Sequence, residues 1–351
     1  MNLKKIILRA AAVLIAAALC TFPAAAEAPC VSAAHAIVTD ADTGAVLYEK
    51  DADASSLIAS TTKIMTGCLI CEQCDLRERF AVPPEAVGIE GSSVYLKAGE
   101  VLSVSDLLYG MLLQSGNDAA VALAIHCGGS VERFVEMMNA KAAELGLSST
   151  HFANPNGLDD ADNYGSARDL ATLTAYALKN RDFAQAVSAK TYSVGQRCFV
   201  NHNKLLWRYE GALGVKTGYT RAAGRILVSA AKKNGRTLIC VTVGAPDDWN
   251  DHSKLLNYGF SQYKMSKIAA KGEVLCTVPI CAETAESAPL IAQEDVFFPL
   301  LAGESVTCGF RKNELILAPF MKGDRAGTAI LYLGKTEIAS VRVSWGTTVL
   351  N

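Results

Sequence analysis

The spacing of apolar and polar positions changes character along the chain. In HAIVTDADTGAVLYEKDAD (35–53) the alternation is strongest in AVLYE, and Asp42-Thr43-Gly44 are turn formers, so the segment predicts two short strands around that turn. From Ser60 to about Glu72, Ile64, Met65, Cys68 and Leu69 keep the 3-to-4 spacing of a buried helix. Residues 83–99 are rich in Pro, Gly and Ser and predict a loop. SVSDLLYGMLLQSGNDAAVALAIHCGG then predicts two apolar helices broken at Ser115-Gly116-Asn117. SVERFVEMMNAKAAELG predicts another helix, capped by Ser130 and stopped at Gly146, and SARDLATLTAYALKN predicts further helix. Strands return in GVKTGYT and in RILVSAAKKNGRTLICVTVGA, whose two apolar runs flank the turn pair Asn234-Gly235.

The pattern changes again after Tyr258-Gly259-Phe260. From about residue 270 helical periodicity is lost, and the chain reads as short strands: EVLCTVPI, VFFPLL, LILAPF, GTAILYL, and TEIASVRVSW after the turn at Gly334-Lys335. That spacing suits a small all-β sandwich. The expected organisation is a helix-rich α/β part over 27–262 and a β part over 263–351, with no internal repeat. A chain of 351 residues, half of them hydrophobic, can bury a sizeable core and is long enough for about two domains.

Residues 1–26 stand outside both parts. Lys4, Lys5 and Arg9 precede an apolar run from Ala10 to Phe22, and Ala24-Ala25-Ala26 offer an A-x-A cleavage site. This is the layout of a secretory signal peptide, and the apolar run is shorter than the roughly 20 residues a spanning helix needs. Cleavage after Ala26 takes the formal net charge from −2 to −5. With no basic run interleaved with aromatics, nucleic acid has no support as a partner. The terminal SVRVSWGTTVLN reads as a strand and short tail without a basic amphipathic face, so no C-terminal membrane anchor is evident. The expected location is extracytoplasmic, in the cell wall or secreted.

Ten of eleven cysteines follow the leader, an unusual number for an exported chain. Cys68, Cys71 and Cys74 have the C-x2-C-x2-C spacing of some metal ligands, but no fourth cysteine follows closely and the segment continues an apolar helix. Core-filling thiols fit it better. The histidines at 35, 126, 151, 202 and 252 show no metal spacing either, and no cofactor is implied.

Three short motifs carry chemistry. Ser60-Thr61-Thr62-Lys63 falls at a helix start, where a three-residue step puts hydroxyl and amine on one face. Ser115-Gly116-Asn117 falls in a turn between helices, and Lys216-Thr217-Gly218 near the end of a strand. Taken singly, each has a plain alternative: an N-cap serine beside a surface lysine, an ordinary turn, a strand end. In this order the trio resembles the motif set of penicillin-binding proteins and class A β-lactamases. The flanks TGAVLYEKDAD, FANPNGLDD, SARDLA, GVKTGYT with AAGR, LLNYGF and APFMKGDRAGT extend the likeness over nearly the whole mature chain. The chain resembles the low-molecular-mass penicillin-binding proteins that act as D-alanyl-D-alanine carboxypeptidases.

That resemblance implies a penicillin-binding/β-lactamase-like transpeptidase domain, a helical cluster with an antiparallel sheet, followed by the small β domain. It implies serine peptidase activity on peptidoglycan stem peptides ending in D-Ala-D-Ala, with β-lactam antibiotics as covalent inhibitors. Ser60 is then the nucleophile and Lys63 its base, neutral at working pH if burial and repulsion from Lys216 lower its pKa. Ser115 would relay a proton between Lys63 and the leaving amine, while Asn117 holds the substrate peptide group. Lys216 and Thr217 would receive the terminal carboxylate, and Gly218 would let the backbone approach the ligand. The backbone N–H groups of Ser60 and Tyr219 would form the oxyanion hole, with the Tyr219 ring packed over the cleft.

Two stretches depart from the family: Asn163-Tyr164-Gly165-Ser166, where His-Tyr-Ser-Thr is common, and Asp248-Trp249-Asn250-Asp251, where some members carry an arginine near the substrate carboxylate. No arginine is assigned that role. A class A β-lactamase is the rival enzyme, but it needs a glutamate in an E-x-x-L-N context that is missing between Ser115 and Lys216. A non-catalytic cell-wall binding protein is the rival of another class, opposed by three intact motifs.

Overall fold

The two runs around Asp42-Thr43-Gly44 form strands β1 (His35–Asp40) and β2 (Val46–Lys50). Asp40 Oδ1 accepts from the Asp42 and Thr43 backbone N–H groups, and Gly44 takes φ +72°, so the turn is held by a buried carboxylate and a left-handed glycine. The computed structural model describes residues 27–283, 285–310 and 316–350; the expected signal peptide lies outside them. Strands β3 (Ala212–Thr220), β4 (Gly224–Lys233) and β5 (Arg236–Val243) complete an antiparallel sheet of order β2-β1-β5-β4-β3. The Asn234-Gly235 turn joins β4 and β5 with both residues at positive φ.

The sheet is covered on both faces, which explains why β4 and β5 read as continuous apolar runs. Ile239 and Val241 face the main helical core. On the other face, α7 (Asp248–Gln262) packs closely because Gly259 has no side chain; a Cβ there would meet Leu238 Cδ1 at 2.8 Å. His252 of α7 hydrogen-bonds Ser229 Oγ at 2.6 Å and Thr242 Oγ1 at 2.9 Å, and burial lowers its pKa to about 3. It is a neutral tie between helix and sheet.

The helical cluster holds α1 (Lys63–Gln73), α2 (Val104–Leu113), α3 (Asn117–Gly128), α4 (Val131–Glu144), α5 (Ala167–Ala177) and α6 (Arg181–Ser188). Ser130 caps α4 by accepting from Arg133 N, and the helix stops at its C-cap Leu145, with Gly146 left-handed just after. In α3, NDAAVALAIHCG, small residues let neighbours approach from all sides, so this helix is buried almost all round. So is the first half of α1. Both start at the same place, and that place is the site described below.

The second unit, from Gln262 onward, is all-β. Its strands are β6 (Lys264–Ala269), β7 (Val274–Pro279), β8 (Ser287–Ala292), β9 (Val296–Leu300), β10 (Val306–Phe310), β11 (Arg325–Leu333) and β12 (Thr336–Trp345). Five of them make an antiparallel sheet of order β7-β8-β12-β11-β10, and β6 pairs with β9. The edges β7 and β10 come together, so the sheet nearly closes around Leu290, Leu331, Val341, Val343 and Trp345. LILAPF does not make the strand expected of it. Its described residues form only isolated bridges, Leu317 with Cys281 and Phe320 with Val349, while the Phe320 ring stacks on Trp345.

Candidate active site

Ser60 sits in a single 3-10 turn, Ala59–Thr62, that leads directly into α1. Lys63 is the first residue of that helix, so the pair shares a face across the junction, and Lys63 Nζ lies 2.9 Å from Ser60 Oγ. Two neighbours press the turn into shape. Gly218 of β3 faces it, and a Cβ there would meet Ile58 O at 3.2 Å and Thr61 Cγ2 at 3.3 Å. Gly157, at φ +82°, lies on its other side, where a methyl would fall on the Ala59 carbonyl. What Gly218 admits at close range is therefore the turn that carries Ser60.

The loop around Gly157 is built by its own side chains: Asn154 Oδ1 accepts from Gly157 N at 2.7 Å, and Asn156 Oδ1 from Leu158 N at 3.0 Å. Thr66 Oγ1 donates to Pro155 O at 2.6 Å, and Asn163 Nδ2 to Thr62 Oγ1 at 3.1 Å, fastening loop to helix. The result presents the Asn156 carbonyl to Lys63 Nζ. A third contact on this amine comes from α3: Asn117 Oδ1 accepts from it at 2.7 Å, and Asn117 Nδ2 donates to Glu90 O at 2.6 Å.

Ser115 lies in the break between α2 and α3 at φ +61°. Its hydroxyl accepts from Lys216 Nζ at 3.0 Å, and the same amine donates to Thr217 O at 2.9 Å. The expectation paired Ser115 with Lys63. The geometry pairs it with Lys216, while Lys63 is held by Ser60, Asn117 and Asn156. These contacts bring Ser60, Lys63, Asn117, Ser115 and Lys216 together with Gly218 against the Ser60 turn, while Thr217 and Tyr219 flank Gly218 on β3 and Tyr219 is 66% exposed rather than packed. Strand β3 is the sheet's edge, so one parity of its backbone groups is left unpaired by the sheet.

Both lysines are buried, at 0% and 1% exposure, which decides their electrostatics. Burial, then repulsion from Lys216, pushes the Lys63 pKa well below the ordinary lysine value, with Asp118 acting weakly the other way. Burial brings Lys216 down to about 7. Asp118 has a second use: its carboxylate accepts from Ser93 Oγ at 2.6 Å, Val94 N at 3.0 Å and Leu96 N at 3.1 Å, which shapes the loop beside Asn117. Neither Asp118 nor Asn156 was singled out from the sequence. The only signal was the Asn-Pro-Asn-Gly run, a turn composition whose carbonyl direction no pattern gives.

In the departing stretch 248–251, Asp248 forms a bidentate pair with Arg225 at 2.9 Å, and Asp251 accepts from Ser32 Oγ at 2.7 Å. Both carboxylates are committed to holding the fold.

Residues 23–247 match the family model described as D-alanyl-D-alanine carboxypeptidase, and residues 263–349 the one described as penicillin-binding protein 5, C-terminal domain. The D-alanyl-D-alanine carboxypeptidase DacF of Bacillus subtilis is 34% identical over 315 residues, covering 85% of this chain and 81% of that one. Penicillin-binding protein 5 of Haemophilus influenzae superposes with a TM-score of 0.76 at 30% identity, covering 93% of this chain and 99% of the other. The Streptomyces K15 DD-transpeptidase superposes at 0.65 with 34% identity over 67% of this chain and 99% of its own. With the Ser60–Lys63 and Ser115–Lys216 contacts in one cleft and matches along nearly the whole described chain, this protein belongs to the D-alanyl-D-alanine carboxypeptidase family of penicillin-binding serine peptidases.

Proposed function

We propose that the chain removes the terminal D-alanine from peptidoglycan stem peptides through an acyl-enzyme on Ser60, with two lysine–serine pairs dividing the proton traffic. The observation that carries this reading is the set of partners around Lys63. Asn117 Oδ1 and the Asn156 carbonyl can only accept hydrogen bonds, whereas Ser60 Oγ can accept or donate. A neutral amine has two N–H groups and one lone pair. The two pure acceptors take the N–H groups, so the lone pair is left for the Ser60 proton.

Acylation then balances as follows. Ser60 Oγ attacks the penultimate carbonyl carbon and its proton passes to Lys63, forming an ammonium that all three oxygens can accept from. The departing D-alanine nitrogen takes the Ser115 proton, and Ser115 is refilled from Lys216, whose pKa of about 7 makes it ready to give or take a proton near neutrality. Deacylation runs these steps back: water attacks the ester, its proton moves through Ser115 to Lys216, and Lys63 returns a proton to the leaving Ser60 oxygen. The charge on the tetrahedral oxygen is met by the N–H groups of Ser60 and Tyr219. The Thr217 hydroxyl receives the substrate carboxylate, with Lys216 contributing charge from behind Ser115, and the second N–H of Asn117 Nδ2 serves the substrate peptide.

A β-lactam mimics the D-Ala-D-Ala terminus and acylates the same serine, but its ring-opened leaving group stays tethered and obstructs water. The groups on Lys63 are a hydroxyl, an amide oxygen and a backbone carbonyl, a set that does not favour the glutamate-driven deacylation of a class A β-lactamase. The leader at residues 1–26 supports action outside the cytoplasmic membrane.

The test is covalent labelling with penicillin followed by intact-mass spectrometry, alongside D-alanine release from a short D-Ala-D-Ala peptide. One adduct per chain is expected, outlasting a peptide turnover, with both signals lost in Ser60→Ala. Labelling that survives this substitution would sink the assignment. Rapid consumption of excess penicillin by unlabelled enzyme would point to the β-lactamase instead.

A further inference from the structure

The C-terminal unit carries three cysteines, and two of them meet where its sheet fails to close by hydrogen bonding. Cys276 lies on β7 and Cys308 on β10, the two edge strands of the five-stranded sheet. The cross-strand partner of Cys276 is Leu290 and that of Cys308 is Leu331, both buried in the core of the unit. Cross-strand partners share a face, so both cysteines line the inside of the curled sheet from opposite edges. The Cys308 thiol donates to Cys276 Sγ at 3.1 Å. That is closer than the roughly 3.5–4.0 Å at which unbonded carbon atoms rest, although sulfur is the larger atom.

Such a seam is the weak line of a small sheet. Two edges lie side by side without a ladder, and each is a place where the sheet can open or pair with another chain. A covalent link needs a sulfur–sulfur separation of about 2.05 Å, so the thiols have only about an ångström to close.

We propose that Cys276 and Cys308 form a disulfide that closes the C-terminal sheet along the β7–β10 seam. The oxidant is a disulfide donor of the glutathione or dithiol–oxidoreductase class. The thiolate of one cysteine attacks a donor sulfur, breaking the donor S–S bond and releasing one donor thiol. The second cysteine then attacks the mixed disulfide at the protein sulfur and releases the other. Two protein S–H bonds are lost, one S–S bond forms, and the donor is reduced by two electrons. Export places the chain where such donors act, but the chemistry is independent of the peptidase reading and is tested without it. Burial and the hydrogen bond to Cys276 push the Cys308 thiol up to about 12, so little of it is thiolate at neutral pH.

Cys281, the third cysteine of the unit, is exposed and serves as an internal control. The full chain is incubated from the reduced state with a glutathione redox pair, its free thiols are alkylated, and it is digested without reduction for mass spectrometry. The expected product is one peptide containing Cys276 linked to one containing Cys308, with Cys281 alkylated; the link lowers the intact mass by about 2 Da, one hydrogen from each thiol. Cys281→Ser keeps the link, while Cys276→Ser leaves Cys308 alkylated. Full alkylation of both seam cysteines after prolonged incubation, or a Cys276–Cys281 link in its place, overturns the proposal.

Discussion

Lys63 forms a cation in water, yet here it has no exposed surface, and that conflict sets the pH behaviour of the site. The charged form is disfavoured by burial and by Lys216, so the neutral base is reached well below the 10.5 of an ordinary lysine. Penicillin acylation should therefore rise with pH as Lys63 loses its proton, with a midpoint well under 10.5. Stopped-flow labelling across pH 5–10 measures this, and a rate that keeps rising to pH 10 would show that Lys63 is not the group being titrated. Ser60, in the proposed mechanism, would owe its reactivity to direction, with its Oγ 2.9 Å from Lys63 Nζ.

At the level of elements, precision comes from a turn squeezed between a strand and a loop. β3 touches the Ala59–Thr62 turn through Gly218, where a side chain would fit only tightly, and the 154–158 loop touches it through Gly157, where none fits. Gly157→Ala adds a methyl onto the Ala59 carbonyl and forces alanine to φ +82°. The loop must retreat, taking the Asn156 carbonyl away from Lys63. We expect a loss of about 1–3 kcal/mol in urea denaturation and a fall of about 100-fold in the acylation rate. Stability lost with acylation unchanged would refute a positioning role for this loop. On the same helix as Lys63, burial pushes the Cys68 and Cys71 thiols up to about 12. They are protonated packing groups at neutral pH.

For the molecule as a whole, the buried lysines are a cost that the rest of the fold must carry. A lysine whose folded pKa lies below its unfolded one binds more protons when unfolded, so stability rises with pH between the two values. For Lys216 the cost is fully felt below about pH 7 and fades as pH approaches 10.5. Lys216→Met should accordingly stabilise the chain at pH 6, by about 2–4 kcal/mol after allowance for the Ser115 hydrogen bond it loses, and abolish D-alanine release. The gain should shrink by pH 10 in urea titrations. A gain that is the same at both ends of the range would mean that Lys216 is not titrating within it.

Much of this architecture was legible in one dimension. The β1–β2 turn, the Ser130 cap, the Asn234-Gly235 hairpin and the helix break at Ser115 each depend on a few adjacent residues whose conformational preferences act locally. Helix α7 was not read from DWNDHSKLLNYGFSQ, because its apolar stripe is interrupted by His252 and Asp251, which are buried through hydrogen bonds to distant partners. LILAPF read as a strand because apolar runs look alike whether they form a ladder or, as in its described residues, only isolated bridges. By itself the sequence determined the candidate side chains for the chemistry and that Ser60 and Lys63 share a face, since a helical step fixes that spacing. Only the tertiary structure decided which lysine serves which serine. Lys63 and Asn117 are 54 positions apart, and Ser115 and Lys216 are 101, and such pairs are set by the packing of two buried helix starts against the edge of a sheet, where burial also lowers the pKa values on which the chemistry depends.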